Sequence, residues 1–262
     1  MDDLEIPLVG GDVTTVVRVG DTVRRTAGWW TATIHALLDY LKEAGFEGAP
    51  RALGIDDEGR EVLSYIEGEA ALVPLAEWAR SDEVIAEIGS FLRNYHDVVS
   101  SFVPPSDARW RYWEGAPRHG DVICHMDLFP PNVIFRQGEV VALIDWDFAA
   151  PGDRLFDIAS AAKHWVPLMD DRRCAAEGLA HVDKGSRLRL LSDSYGLDRA
   201  QRGRLLDFVM LKQQLGYASH KAWGEAGEPG FERMWGEGSG ELMTRDMEWL
   251  RRHRSDLQPF LA

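Results

Sequence analysis

The stretch His125-Met126-Asp127-Leu128-Phe129-Pro130-Pro131-Asn132 runs into Val133-Ile134-Phe135, then Arg136-Gln137-Gly138, the apolar run Val140–Ile144 and Asp145-Trp146-Asp147. Two short apolar runs around a tight turn predict a β-hairpin. In an antiparallel pair, facing residues lie at equal distances from the turn. Asn132 and Asp145 are centred between Gly138 and Glu139, so the spacing predicts that they face each other at the open end of the hairpin. One carboxylate and one amide oxygen so placed suit a hard cation such as Mg²⁺, which also keeps waters and phosphate oxygens. Asp127 lies five residues before Asn132, in a loop held by two prolines. A carboxylate beside a metal-bound phosphate can orient an incoming hydroxyl and accept its proton. His125 is expected to pack under this loop and hold its backbone. Cys124 would point to the opposite face of the strand, so it forms no dyad with His125 and reads as a small buried hydrophobe.

The chain around this stretch has 262 residues, a formal net charge of -14 and 45% hydrophobic residues. That composition excludes wholesale disorder. The length suits one large domain or two lobes sharing a cleft. The acidic balance argues against a nucleic-acid partner, which would need clustered Lys and Arg. It mildly favours a cationic acceptor. Two cysteines, Cys124 and Cys174, make neither a disulfide framework nor a zinc site and fit a reducing compartment. No apolar run approaches the ~20 residues of a membrane span, and the acidic start Met-Asp-Asp-Leu-Glu is not a targeting segment, so a cytoplasmic location is expected.

Upstream, Thr14–Val19 and Thr22–Arg25 flank a Gly20-Asp21 turn, and Arg51–Ile55 and Glu61–Ile66 flank Asp-Asp-Glu-Gly; both pairs read as hairpins. Between them, Ile34, Leu37, Leu38 and Leu41 recur at helical spacing, with Gly45 where a C-cap belongs. From about residue 73 helical patterns dominate. Ser81 is a candidate N-cap, and Ile85, Ile88, Leu92, Tyr95 and Val99 form one apolar stripe. The expected fold is α+β with two lobes. A small antiparallel-sheet lobe spans 1–66, a linker 67–72, and a larger, mainly helical lobe 73–262.

The spacing His-x-Asp-x4-Asn, a hairpin and Ile-Asp-Trp-Asp resembles the aminoglycoside phosphotransferase family, which shares the protein-kinase fold and includes choline and homoserine kinases. The resemblance is specific over about 122–160. It implies that Asp127 is the catalytic Asp and that Asn132 and Asp145 hold Mg²⁺. It implies that Asp157, in Gly-Asp-Arg-Leu-Phe-Asp-Ile-Ala, buttresses the catalytic loop together with His125. It places Thr14 and Thr15 in the hairpin over the nucleotide phosphates, and Ser64, Tyr65 and Ile66 at the adenine-binding hinge. Arg25 takes the position of the family's phosphate-binding Lys. The acid that should pair with it is missing from the following helix. Residues 26–38 contain none, Asp39 and Glu43 come late, and His35 occupies the expected face.

The reading is therefore an ATP- and Mg²⁺-dependent phosphotransferase acting on a hydroxyl of a small molecule, with GTP left open as the donor. An aminoglycoside-like or other natural-product antibiotic is the favoured acceptor. A metabolic kinase of the choline, homoserine or sugar type, and a catalytically silent nucleotide-binding protein, are the alternatives. Asp147, Trp165 and Asp170 are candidate substrate contacts. No nucleic-acid or membrane partner is expected, and the chain is read as a monomer or homodimer.

Overall fold

The computed structural model describes residues 4–8 and 16–262. Thr14 and Thr15 lie outside them. The smaller lobe is a five-stranded antiparallel sheet in the order β1-β2-β3-β5-β4. Its strands are β1 (Ile6–Pro7), β2 (Val16–Val19), β3 (Thr22–Thr26), β4 (Ala52–Ile55) and β5 (Arg60–Ser64). Helix α1 (Thr31–Glu43) packs beneath the sheet through the fully buried Ile34, Leu37, Leu38 and Leu41. Burying one such side chain is worth about 1.5–3 kcal/mol, so the stripe, rather than helix propensity, holds α1 in place. Gly45 follows the helix at φ +76°, a conformation that favours glycine.

The linker is not a free tether. Its strand β6 (Glu69–Ala70) pairs with β8 (Val133–Arg136), which pairs with β9 (Glu139–Leu143), making a three-stranded sheet. Helix α2 (Asp82–Val99) starts at Ser81, whose hydroxyl accepts the Val84 amide, and buries the expected stripe. Strands β7 (Val122–Cys124) and β10 (Ala150–Gly152) form a two-stranded ribbon that closes the loop-and-hairpin segment. The remaining helices are α3 (Leu155–His164), α4 (Asp171–Ala176), α5 (Lys184–Tyr195), α6 (Arg199–Glu225), α7 (Phe231–Gly236) and α8 (Ser239–Leu257). The short α4 and α7 were not anticipated; six residues are too few to show a period. No helix among the described residues is long and apolar enough to cross a membrane.

Aromatic packing fixes the floor under the segment from His125 to Asp147. Trp146 is buried against Tyr95, with ring centroids 5.1 Å apart, and against His125 at 4.6 Å. The Tyr95 hydroxyl donates to the carbonyl of Ile123 on β7, 2.7 Å away. The hairpin register differs from the expected one. Val133 pairs with Leu143, and a bulge between Ile134 and Phe135 shifts the remaining pairs. Asn132 therefore faces Ile144, whose amide donates to its carbonyl at 2.9 Å. Asp145 comes one residue later, in the left-handed region at φ +62°.

The β7–β10 ribbon tolerates no added atom at its mouth, because a Cβ on Gly120 would lie 2.0 Å from the Gly152 carbonyl. Gly120→Ala should lower stability by about 2 kcal/mol, roughly 4–8 °C in Tm, measured by thermal unfolding.

Candidate active site

The loop from His125 to Asn132 hangs on one buried carboxylate. Asp157, in α3, accepts the backbone amides of His125 at 2.8 Å and Met126 at 2.7 Å, and the Nε2–H of His96 at 3.0 Å. His96 is held in turn by the hydroxyl of Tyr195 at 2.8 Å. Burial alone would raise the pKa of Asp157; the His96 hydrogen bond and the nearby histidines hold it below its ordinary value. Met126 takes φ +69°, so the two amides converge on a single carboxylate. The next turn is fixed by Ser160, whose hydroxyl accepts the Leu128 amide at 3.1 Å. Trp165 donates its indole N–H to the Leu128 carbonyl at 3.0 Å.

That loop presents Asp127 to the cleft. The Asn132 side-chain amide donates to the Asp127 carboxylate at 3.0 Å and to its carbonyl at 3.1 Å. With its Nδ2 so used, the Oδ1 of Asn132 is left for a cation. The Asp145 side chain is 47% exposed and offers one oxygen to Arg25 at 2.9 Å. Two hard oxygen donors, with open positions for waters and phosphate oxygens, fit Mg²⁺. His125 is buried, with its Nε2–H donating to the Ile144 carbonyl at 3.0 Å and burial lowering its pKa. Burial raises the pKa of Asp127; Asp145 adds to this, and Lys212, His125 and Lys163 oppose it.

Arg25 does have an acid partner, but it comes from a strand. Arg25 and Glu61 are direct cross-strand partners on β3 and β5, and their side chains form a buried ion pair. His35 of α1 reaches the second oxygen of Glu61 at 2.9 Å. The helix position that lacks an acid thus supplies the group that orients one. Burial would raise the pKa of Glu61; the His35 hydrogen bond and the Arg25 charge hold it below the ordinary value. Arg25 also binds Asp147. Asp147 is therefore spent on this ion-pair cluster rather than on substrate. Burial, then the charges of Asp145 and Glu61, push its pKa up to about 6 against the pull of Arg25.

Two other expected contacts are also corrected. Trp165 is 1% exposed and supports the catalytic loop from behind instead of walling an acceptor pocket. Asp170 caps α4 by accepting the Arg172 amide at 3.1 Å. At the hinge, Ser64, Tyr65 and Ile66 line the cleft among Val23, Leu63 and Ile134. The Ser64 and Tyr65 amides are used by the Arg51 and Asp21 carbonyls, both at 2.9 Å. Among the described residues, Ile66 keeps an unspent amide in this slot.

The cleft holds about 850 Å³ and continues past Asp127 between α3, α4, α6 and α8. Lys163 and Lys212 border it, and burial lowers each to a pKa of about 8. Neither was singled out from sequence, where isolated lysines in helices look like solvated positions.

A two-lobe fold carrying this loop, hairpin and buttress defines a small-molecule phosphotransferase. The model of the phosphotransferase enzyme family matches residues 104–191. The trifolitoxin immunity protein of Rhizobium leguminosarum bv. trifolii is 37% identical, with 98% of this chain and 99% of the relative covered. A homoserine kinase of Rhizobium rhizogenes is 29% identical over 136 residues, 51% of this chain and 39% of that relative. The microcompartment-associated aminopropanol kinase shares the fold at a TM-score of 0.63 and 13% identity, over 100% of this chain and 95% of that one. The chain belongs to the phosphotransferase enzyme family, that of the aminoglycoside phosphotransferases and their relatives.

Two expectations follow. Asp157→Asn keeps the shape but turns one acceptor oxygen into a donor facing backbone amides. It should cost about 3 kcal/mol, measured by urea unfolding. Lys163 and Lys212 titrate near 8 when folded and near 10.5 as ordinary lysines. The folded chain thus binds these protons more weakly, so stability should rise as pH climbs from about 8 to about 10.5. A Lys163→Met/Lys212→Met double variant should lose that rise in the same assay.

Proposed function

We propose that this chain transfers the γ-phosphate of ATP to a hydroxyl of a small molecule, with Mg²⁺ held by Asn132 and Asp145. The observation that carries this reading is the Asp127 carboxylate, held by the Asn132 amide and facing the cleft shared with Asp145. The adenine would occupy the apolar slot at Ser64, Tyr65 and Ile66. Mg²⁺, when bound, neutralises the charge of the terminal phosphates. Asp127 aligns the acceptor hydroxyl and takes its proton as the oxygen bonds to the γ-phosphorus. The bond from that phosphorus to the β-phosphate oxygen breaks, giving ADP and a phosphate ester. The upward shift of Asp127 makes it a better proton acceptor than an ordinary carboxylate.

Arg25 steadies the metal-binding carboxylate of Asp145 and borders the phosphate region; the Glu61–His35 pair holds it there. A relative whose name is an immunity protein supports a toxic natural product as acceptor.

Asp127→Ala should cut ADP release by roughly 10²–10⁴-fold while Mg-ATP still binds, measured by coupled assay and calorimetry. Turnover retained in this variant would refute the assignment.

A further inference from the structure

The acceptor end of the cleft has the charge opposite to the chain as a whole. Lys163 of α3, Lys212 of α6, Arg172 of α4 and Arg245 of α8 border it. Lys163 is 8% exposed and Lys212 7% exposed. Among the described residues, the side chains of these four cations make no hydrogen bond or ion pair. The Lys212 ammonium lies over the face of Trp113, 3.9 Å away, and its nearest acidic influence is Asp127 at the boundary of this region. The acids on this wall are fewer and mostly engaged: Glu177 binds Arg173 at 2.7 Å through one oxygen, leaving the other without a partner, and Glu237 binds Arg233 at 3.2 Å. Beside the lysines, buried polar atoms stand without partners: the Nε–H donor of Arg245, the ring Nδ1 atoms of His164, itself 8% exposed, and His220, and the acceptor oxygens of Glu177 and Gln213.

Buried ammonium groups carry a heavy desolvation cost unless a counter-charge reaches them. Here two of them, beside the unpartnered Nε–H of Arg245, face an open cleft. A polyamine placed there would meet mostly like charge, with only Asp127 and the free oxygen of Glu177 to receive it.

We propose that the acceptor carries an anionic group, a carboxylate or a phosphate, in addition to its reacting hydroxyl, and that Lys163, Lys212 and Arg245 receive that group. The proposal rests on the phosphotransferase reading, since it takes Asp127 as the boundary between donor and acceptor. It also replaces the cationic acceptor suggested by net charge. Trp113 stacks on Phe148 at 4.5 Å, giving the apolar body of such an acceptor a flat wall beside the anion site.

The test is thermal unfolding of the intact chain saturated with Mg-AMP-PNP, which fills the nucleotide's own phosphate positions. Sodium phosphate, sodium acetate, sodium chloride and kanamycin are compared at matched ionic strength. Phosphate or acetate should raise Tm above chloride by roughly 2 °C or more, as expected when an anion is present at about ten times its Kd. The better of the two identifies the anionic group. The shift should vanish in Lys163→Met and Lys212→Met and survive in Lys212→Arg; if a methionine variant fails to fold, Lys163→Gln takes its place. Equal responses to phosphate, acetate and chloride would overturn the proposal, as would a kanamycin shift untouched by the lysine variants. A chain that ignores Mg-AMP-PNP but answers the anions would refute the phosphotransferase reading and leave the anion site standing. A chain that answers Mg-AMP-PNP alone would do the reverse.

Discussion

The guanidinium of Arg25 is the constraint through which the two lobes share one site. It leaves β3 and reaches Glu61 within its own sheet, then Asp145 and Asp147 beyond β9. Three carboxylates around one buried cation would repel one another in water-poor surroundings without that centre. The planar fork of an arginine can meet all three at once, one per nitrogen, where an ammonium would act as a point charge. The Arg-for-Lys exchange and the strand-borne acid are therefore parts of one arrangement. A helix acid is unnecessary once Glu61 stands across the ladder from Arg25 and His35 holds its far oxygen.

The catalytic segment was legible because its parts are close in sequence. A loop, a hairpin and a following helix carry Asp127, Asn132, Asp145 and Asp157 within 31 residues, and spacing alone brings them near one another. Even so, the register was misjudged by one residue at the open end: the hairpin turns at Gln137-Gly138, earlier than the expected centre, and the bulge between Ile134 and Phe135 recovers only part of that difference, neither of which marks the apolar pattern. Glu61 was not legible as a partner because β3 and β5 are separated by a helix and another strand. Trp165 and Asp170 were misread for a similar reason. Their roles depend on which way α3 ends and α4 begins, and a composition of apolar and acidic residues does not encode that direction.

Charge shows the same division between local and global. A net charge of -14 is a property of the outer surface. The inner wall of the cleft draws Lys163 from α3, Arg172 and Arg173 from α4, Lys212 from α6 and Arg245 from α8, which are far apart in sequence. Only the packing of those helices brings the cations together. Net charge is an argument about solubility and encounter. It says little about the few groups that meet a bound molecule.

The linker strand β6 has a mechanical consequence. Because Glu69 and Ala70 are stitched to Phe135 and Ile134, this stretch of the connection belongs to the lower lobe. The seam does not end there. The Leu143 amide donates to the Gly48 carbonyl at 3.0 Å, the Tyr40 hydroxyl to the Val98 carbonyl at 3.0 Å, and the Arg109 amide to the Thr33 hydroxyl at 2.7 Å. The upper lobe is thus riveted along a line rather than hung from one point. Asn132 and Asp145, at the open end of the β8–β9 hairpin, sit on the lower side of that line, so their spacing is set by one sheet and not by the fit between two lobes.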